Sequence, residues 1–202
     1  MGTCTKRENT LTRGDVPLKL NMGCGVNKIN GFVNVDKFLE CQPDVQMDLE
    51  VLPWLFGDNE VDEVLFHHSL EHIGADPKIF LGMMKELYRV CKPGAEIRIN
   101  VPHPRHDNFI GDPTHVRIIS PQVLSLFSKK NNYHWQKIGA PNSQLAIYLD
   151  VDFEITHAEQ VVENAYMQKL INKEITEAEL RRFIQEKNNI VAEYKITLKV
   201  VK

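Results

Sequence analysis

The apolar run Leu18-Lys19-Leu20-Asn21-Met22 passes straight into Gly23-Cys24-Gly25, and only six residues separate Gly25 from the next apolar run at Phe32. This pairing constrains the fold more than any other feature. Two glycines two residues apart let the backbone turn sharply and approach a ligand, because no Cβ stands in the way. The second run ends at Asp36, where a carboxylate can hold ribose hydroxyls. Together these describe half of a nucleoside-cofactor site. The dinucleotide fingerprint adds a third glycine and then a helix. The third glycine is missing here, which argues against NAD. A parallel crossover also needs roughly a dozen residues or more, so the helix after the turn is absent or cut to a single turn. The link from Lys37 to Asp44 is short as well. One face of the sheet near its first strands then lacks its helices. The N-terminal arm, helices within 159–188 or another subunit are the candidates to cover it. Antiparallel pairing of these strands is excluded only by the cofactor reading.

A chain of 202 residues with 43% hydrophobic content suits one domain with a real core. We read 1–16 as a polar arm and 17–202 as that domain. The net charge is −3, and the densest basic spots are dipeptides such as Lys129-Lys130 and Arg181-Arg182. No basic field is present to capture nucleic acid. Cys4, Cys24, Cys41 and Cys91 show no CxxC spacing and read as reduced thiols of a cytoplasmic protein. No run approaches the roughly 18 apolar residues of a membrane span, and no secretory signal opens the chain. Gly2 follows Met1 as in a myristoylation site, but Lys6 stands where Ser or Thr is preferred.

Further apolar runs at Phe32–Val35, Val45–Leu49, Val61–Phe66 and Ile97–Val101 read as buried strands. The clearest helix is Pro77–Cys91, capped by Asp76 and stopped by Lys92-Pro93-Gly94. A second runs from Ser120-Pro121 to about Lys129. Residues 159–188 read as a helical insertion of two amphipathic helices broken near Asn172. The strict alternation Tyr194–Val200 predicts a half-exposed antiparallel strand.

On these residues the chain resembles the class I S-adenosylmethionine-dependent methyltransferases of the compact small-molecule type. The matching motifs are LKLNMGCG at 18–25, GFVNVD at 31–36, QMDLEVLPW at 46–54, VDEVLFHHSLEH at 61–72 and ELYRVCKPGAEIRINVP at 86–102. They stand in the family's order and at about its spacing, over residues 18 to about 130. The closing strand from about Ile190 matches the family's last. The resemblance implies an α/β fold. Its Rossmann-like seven-stranded sheet is mostly parallel, with an antiparallel last strand and first crossover helices shortened or absent. It implies S-adenosylmethionine as cofactor. Gly23, Cys24 and Gly25 would lie under its methionine part, Asp36 at the ribose, Asp48 and the Leu49 amide at the adenine, and His67 and His68 near the sulfonium.

Each role has a plainer rival. The glycines can make a bare tight turn, and Asp36 and Asp48 can cap turns. For Glu71 and His72 we favour capping and pairing over catalysis. The loop 102–117 after the fifth strand gathers His103, His106, His115, Asp107, Asp112, Arg105 and Arg117, and a loop this long is usually functional. Its Gly-Asp-Pro-Thr-His-Val-Arg segment resembles a subgroup associated with saccharide or secondary-metabolite pathways. An oxygen acceptor must lose a proton, and His suits that near neutral pH. His115 is the first choice of base, with Asp112 to orient it and His68, His103 and His106 in reserve. His103, His106, Asp112 and Arg117 are the candidates to bind substrate. The plainer reading is that these histidines tie the loop down. His103, His106, Asp107, Asp112 and His115 could also ligate a metal, but their spacing fits no standard zinc pattern, so none is expected.

The resulting expectation is methyl transfer from S-adenosylmethionine to an oxygen or nitrogen of a small molecule. The rivals are an inactive cofactor-binding partner module, an NAD-type oxidoreductase and a nucleic-acid methyltransferase. A homodimer is an open possibility, with 159–188 either capping the pocket or forming the dimer face.

Overall fold

The structure is a computed structural model and describes residues 16–202. The arm read at 1–16, with Gly2 and Cys4, lies outside the described residues apart from Val16. Along the chain run β1 (Lys19–Met22), β2 (Val33–Asp36), β3 (Val45–Gln46), β4 (Val61–His67), α1 (Pro77–Val90), β5 (Cys91–Pro102) and α2 (Asp107–Ile110). Then follow α3 (Pro121–Ser125), α4 (Lys129–Ile138), α5 (Leu145–Leu149), β6 (Phe153–Val162), α6 (Asn164–Ile171), α7 (Glu177–Glu186) and β7 (Val191–Val200). The seven strands form one sheet in the order β3-β2-β1-β4-β5-β7-β6. β3, β2, β1, β4 and β5 pair in parallel, and β7 is antiparallel to both β5 and β6. This is the Rossmann-like α/β sheet the motifs imply. No helix stands between β1 and β2, and a single 3-10 turn, Leu39–Cys41, stands between β2 and β3.

Register decides what each face carries. Leu20 lies beside Val33 and Val64, Phe66 beside Ile99, and Ile99 beside Ile196. Strand side chains alternate, so these residues share one face. They are joined in one core with Phe80, Met83, Met84, Leu87 and Val90 of α1. Asp76 caps that helix by accepting from the Lys78 N–H, with Pro77 in the first turn. The opposite face is polar, which is unusual for parallel strands. There Glu63 pairs with both Lys19 and Arg98, and both cations lie over the Phe32 ring.

A ladder of amides stands where the first crossover helix would pack. Asn21 Nδ2 donates to Asn34 Oδ1 at 2.9 Å and to the Asn27 carbonyl at 3.0 Å. Asn34 Oδ1 also accepts from the Ile29 N–H at 2.8 Å, and Asn34 Nδ2 donates to Asp44 at 2.7 Å. The ladder holds loop 26–32 against β1 and β2. Short turns thus replace two helices without leaving buried amides unpaired.

Several boundaries differ from the sequence reading. β3 is two residues long, where a strand to Leu49 was expected. The 120–129 helix is interrupted, because Ser128 starts a new helix by capping the Asn131 N–H. Residues 159–162 belong to β6 and not to a helix. β6 is an edge strand with solvent on one face, so its polar residues read as an amphipathic helix. After it, α6 and α7 flank a break at 172–176. They dock beside the loop after β5, where Arg105 takes the Ile184 and Gln185 carbonyls.

Candidate active site

The turn after β1 is built for close approach. Gly23 and Gly25 both have positive φ, +68° and +51°, a region that strains residues with a Cβ. The Gly23 and Cys24 N–H groups both donate to the Val35 carbonyl, at 2.9 and 3.0 Å. A Cβ at Gly23 would lie 2.7 Å from that of Ser69, while one at Gly25 would meet nothing within 4 Å. Ser69 itself donates to the Met22 carbonyl at 2.7 Å, pinning the segment after β4 beneath the turn. The Cys24 side chain is buried, and burial, then Asp36, pushes its thiol pKa up. Both effects disfavour its thiolate.

A cavity of about 370 Å³ opens beyond the C-terminal ends of β1, β2 and β4. That is where open α/β sheets bind ligands. The structure brings six of the sequence candidates to its wall: Gly23, Gly25, Asp36, Asp48, Leu49 and His68. Asp36 accepts from the Gly25 N–H at 2.8 Å through Oδ2 and from the Phe38 N–H at 2.9 Å through Oδ1. Each oxygen keeps one lone pair for a ligand. Asp48 caps the Glu50 N–H at 3.0 Å, so its plainer role is real, and it lines the cavity as well.

Four histidine and carboxylate side chains meet at one end. His68 has φ +51°, and its Nε2 lies 3.0 Å from Glu193. Its Nδ1 lies 3.6 Å from the Glu71 carboxylate, which raises its pKa most, ahead of the opposing effect of burial. The neighbouring His67 shifts down, through burial and then through the His68 charge. His67 does not line the cavity. Behind it, His115 lies 4.0 Å from Glu71 and 3.9 Å from Asp112. Both separations exceed a hydrogen bond, so Asp112 does not orient His115. The Phe109 carbonyl does, at 2.9 Å from Nδ1. Asp112 instead accepts from Thr114, whose hydrogen bonds hold its carboxyl below the usual range.

The other candidates lie elsewhere. His106 caps α2 and meets Glu163 at 2.9 Å through Nε2. His103 accepts from the Arg105 N–H at 3.2 Å, and burial first lowers its pKa. Arg117 donates to the Gly74 carbonyl and sits over Phe80. None of the three lines the cavity. His72, Ser69, Ile73 and Thr114 do, and sequence reasoning missed them. Their signal is position. HSLEH follows the end of β4 directly, at the rim where ligands bind.

Residues 20–99 match the model of the methyltransferase domain family. Over this stretch the chain is similar to the class I S-adenosylmethionine-dependent methyltransferases. Its fold is similar to a SAM-dependent methyltransferase from Archaeoglobus fulgidus, at TM-score 0.55 and 21% identity, covering 92% of this chain and 86% of that one. It is also similar to phosphoethanolamine N-methyltransferase 2 of Haemonchus contortus in complex with S-adenosyl-L-methionine (TM-score 0.51, 13% identity, 92% and 48% covered). The [4+2]-cyclase SpnF is a third (0.51, 16%, 93% and 76%). At these identities the likeness is one of fold, and a fold hosts more than one chemistry. No curated protein sequence matches.

S-adenosylmethionine is the cofactor that the methyltransferase-domain match supports, and the cavity fits it. Gly25 leaves open a space that any side chain would fill, and Asp36 has lone pairs to spare beside it.

Proposed function

We propose that this methyltransferase methylates an oxygen or nitrogen of a small polar molecule, with His68 taking the proton. The observation that carries this reading is His68 itself, on the cavity wall between two carboxylates. When bound, the cofactor supplies an activated methyl group on a sulfonium, so the protein mainly positions the reactants. In this reading Gly23 and Gly25 hold the methionine part, Asp36 the ribose, and Asp48 and Leu49 the adenine. The His68 Nε2–H faces Glu193, which leaves Nδ1 to accept a proton. Glu71 and Glu193 then stabilise the imidazolium, much as a carboxylate does in a triad. His115 is farther back, its Nδ1 held by the Phe109 carbonyl.

A small acceptor, met in the cytoplasm, is favoured over nucleic acid by the net charge of −3. No helix among the described residues is long and apolar enough to cross a membrane. The test uses methyl-labelled cofactor with a panel of hydroxylated and aminated small molecules, sugars included. Label should reach one acceptor class. His68→Gln should lose turnover and keep its affinity for S-adenosylhomocysteine. Label confined to nucleic acid or protein, or full turnover in His68→Gln, overturns the reading.

A further inference from the structure

The cluster behind the cavity offers more donor lone pairs than it has protons for. Thr114 Oγ1 donates to Asp112 Oδ1 at 2.6 Å, and a carboxylate only accepts. The Thr114 oxygen must therefore accept from Nδ1–H of His72, 2.9 Å away. His115 Nδ1 lies 2.9 Å from the Phe109 carbonyl, which also only accepts. Both rings therefore donate from Nδ1, and the neutral form of each leaves Nε2 with a free lone pair. Beside them the Glu71 side chain is 1% exposed, and neither of its oxygens has a hydrogen-bond partner among the described residues. Burying a carboxylate this way is costly unless a cation meets it. One donor atom from each of Glu71, His72 and His115 lies within 4.8 Å of the other two.

We propose that Glu71, His72 and His115 form a binding site for a divalent first-row transition-metal ion at the rim of the cofactor cavity. Two imidazoles and a carboxylate suit Zn²⁺, Fe²⁺ or Co²⁺ better than Mg²⁺ or Ca²⁺, which prefer oxygen ligands. Small side-chain rotations close the set to bonding distances of about 2.0–2.2 Å. Imidazoles that donate Nδ1–H to a carbonyl or hydroxyl are the outer-shell arrangement that orients metal-binding histidines. Three protein ligands leave a coordination position open. His72 and Thr114 line the cavity, so the open position faces it. On the proposed function, it receives an oxygen of the acceptor and makes the hydroxyl more acidic. The expectation of no metal considered only residues 103–115 and standard zinc spacings. The set found here pairs the adjacent Glu71-His72 with a histidine from the loop after β5.

His68 supplies the competing account, because a protonated imidazole 3.6 Å from Glu71 could neutralise it without a metal. The experiment strips the protein with a chelator and titrates it with Co²⁺, following visible absorption and calorimetry. One equivalent should bind per chain. His72→Gln and His115→Gln should each weaken binding at least ~100-fold. Thr114→Val keeps all three ligands but frees the His72 ring, and should weaken binding roughly 10–100-fold. The exposed His157→Gln should leave binding unchanged. Thermal melting checks each variant, and if His115→Gln does not fold, the exposed His72 and Thr114 carry the test. A folded wild type that binds no Co²⁺, or wild-type affinity in both His72→Gln and Thr114→Val, overturns the proposal. S-adenosylhomocysteine titrated into the same samples tests the cofactor reading separately, so either can fail alone.

Discussion

The Gly25 N–H donates to Oδ2 of Asp36 at 2.8 Å, tying the turn after β1 to the end of β2. One carboxylate thus closes the turn and keeps lone pairs toward the cavity, where the proposed function puts the ribose. Asp36→Asn leaves one acceptor oxygen for those tasks and turns an amide N–H₂ toward a backbone N–H. A hydrogen bond to a charged group contributes about 1.5–3 kcal/mol. Affinity for S-adenosylhomocysteine should fall roughly 10–100-fold by calorimetry. An unchanged affinity would remove Asp36 from the cofactor site.

The two glycines should respond differently to alanine. At Gly23 the new methyl lies 2.7 Å from Ser69 Cβ at φ +68°, so the fold itself must give. Left-handed strain alone costs about 1–2 kcal/mol, and overpacking adds about 1–3 kcal/mol. Gly25→Ala meets no protein atom, so only the strain remains. Its methyl competes with the cofactor instead. Gly23→Ala should show the larger drop in melting temperature, and Gly25→Ala should lose affinity out of proportion to its stability. The reverse order would mean that neighbouring protein, not ligand, fills the space at Gly25.

The half of the site built from backbone was legible in the sequence. Gly23, Gly25 and Asp36 are readable because a turn that no Cβ permits, followed by an acidic strand end, has few other uses. The missing helix followed from chain length alone. The histidine half was legible only in part: His68 was a candidate and lines the cavity, but its neighbours His72 and Thr114 were not. These two come from segments far apart in sequence, and no local pattern says that they will touch. The dense loop 102–117 misled in the other direction. Composition counts polar groups but not their partners, and His103, His106 and Arg117 spend theirs on nearby backbone and on Glu163. β6 escaped notice because an edge strand open to solvent has no apolar run to see.

The His68 environment predicts a pH dependence. Its pKa is raised above 6.5, chiefly by Glu71, so folding favours the protonated form. The pair's contribution to stability is complete below the unfolded value of 6.5 and is lost as pH rises through the raised value. The melting-temperature gap between wild type and His68→Gln should therefore be widest at pH 5.5–6 and close toward pH 9. Turnover should run the other way, rising as His68 loses its proton, with an inflection above pH 6.5. A gap that widened with pH would contradict the pairing with Glu71. Saturating Co²⁺ should lower the inflection, because a cation on Glu71 withdraws the charge that holds the proton.

Asn34 tests how the fold manages without its first helix. Its side chain receives the Asn21 amide, accepts from Ile29 and donates to Asp44, all within 2.9 Å. Asn34→Ala leaves these groups facing a 5%-exposed site with little water to replace the lost partner. Each unsatisfied buried group costs about 1–3 kcal/mol, and partial relaxation of loop 26–32 recovers some of it. A net loss of roughly 2–4 kcal/mol in denaturant unfolding is expected. Asn27→Ala makes the control, because only its backbone carbonyl takes part, and it should stay within about 0.5 kcal/mol. The loop leads back from the Gly25 turn to β2, so loosening it should also weaken cofactor binding. If Asn34→Ala instead matched its control, the ladder would be incidental, and packing of Phe32 against the Lys19 and Arg98 side chains would have to hold the loop on the sheet.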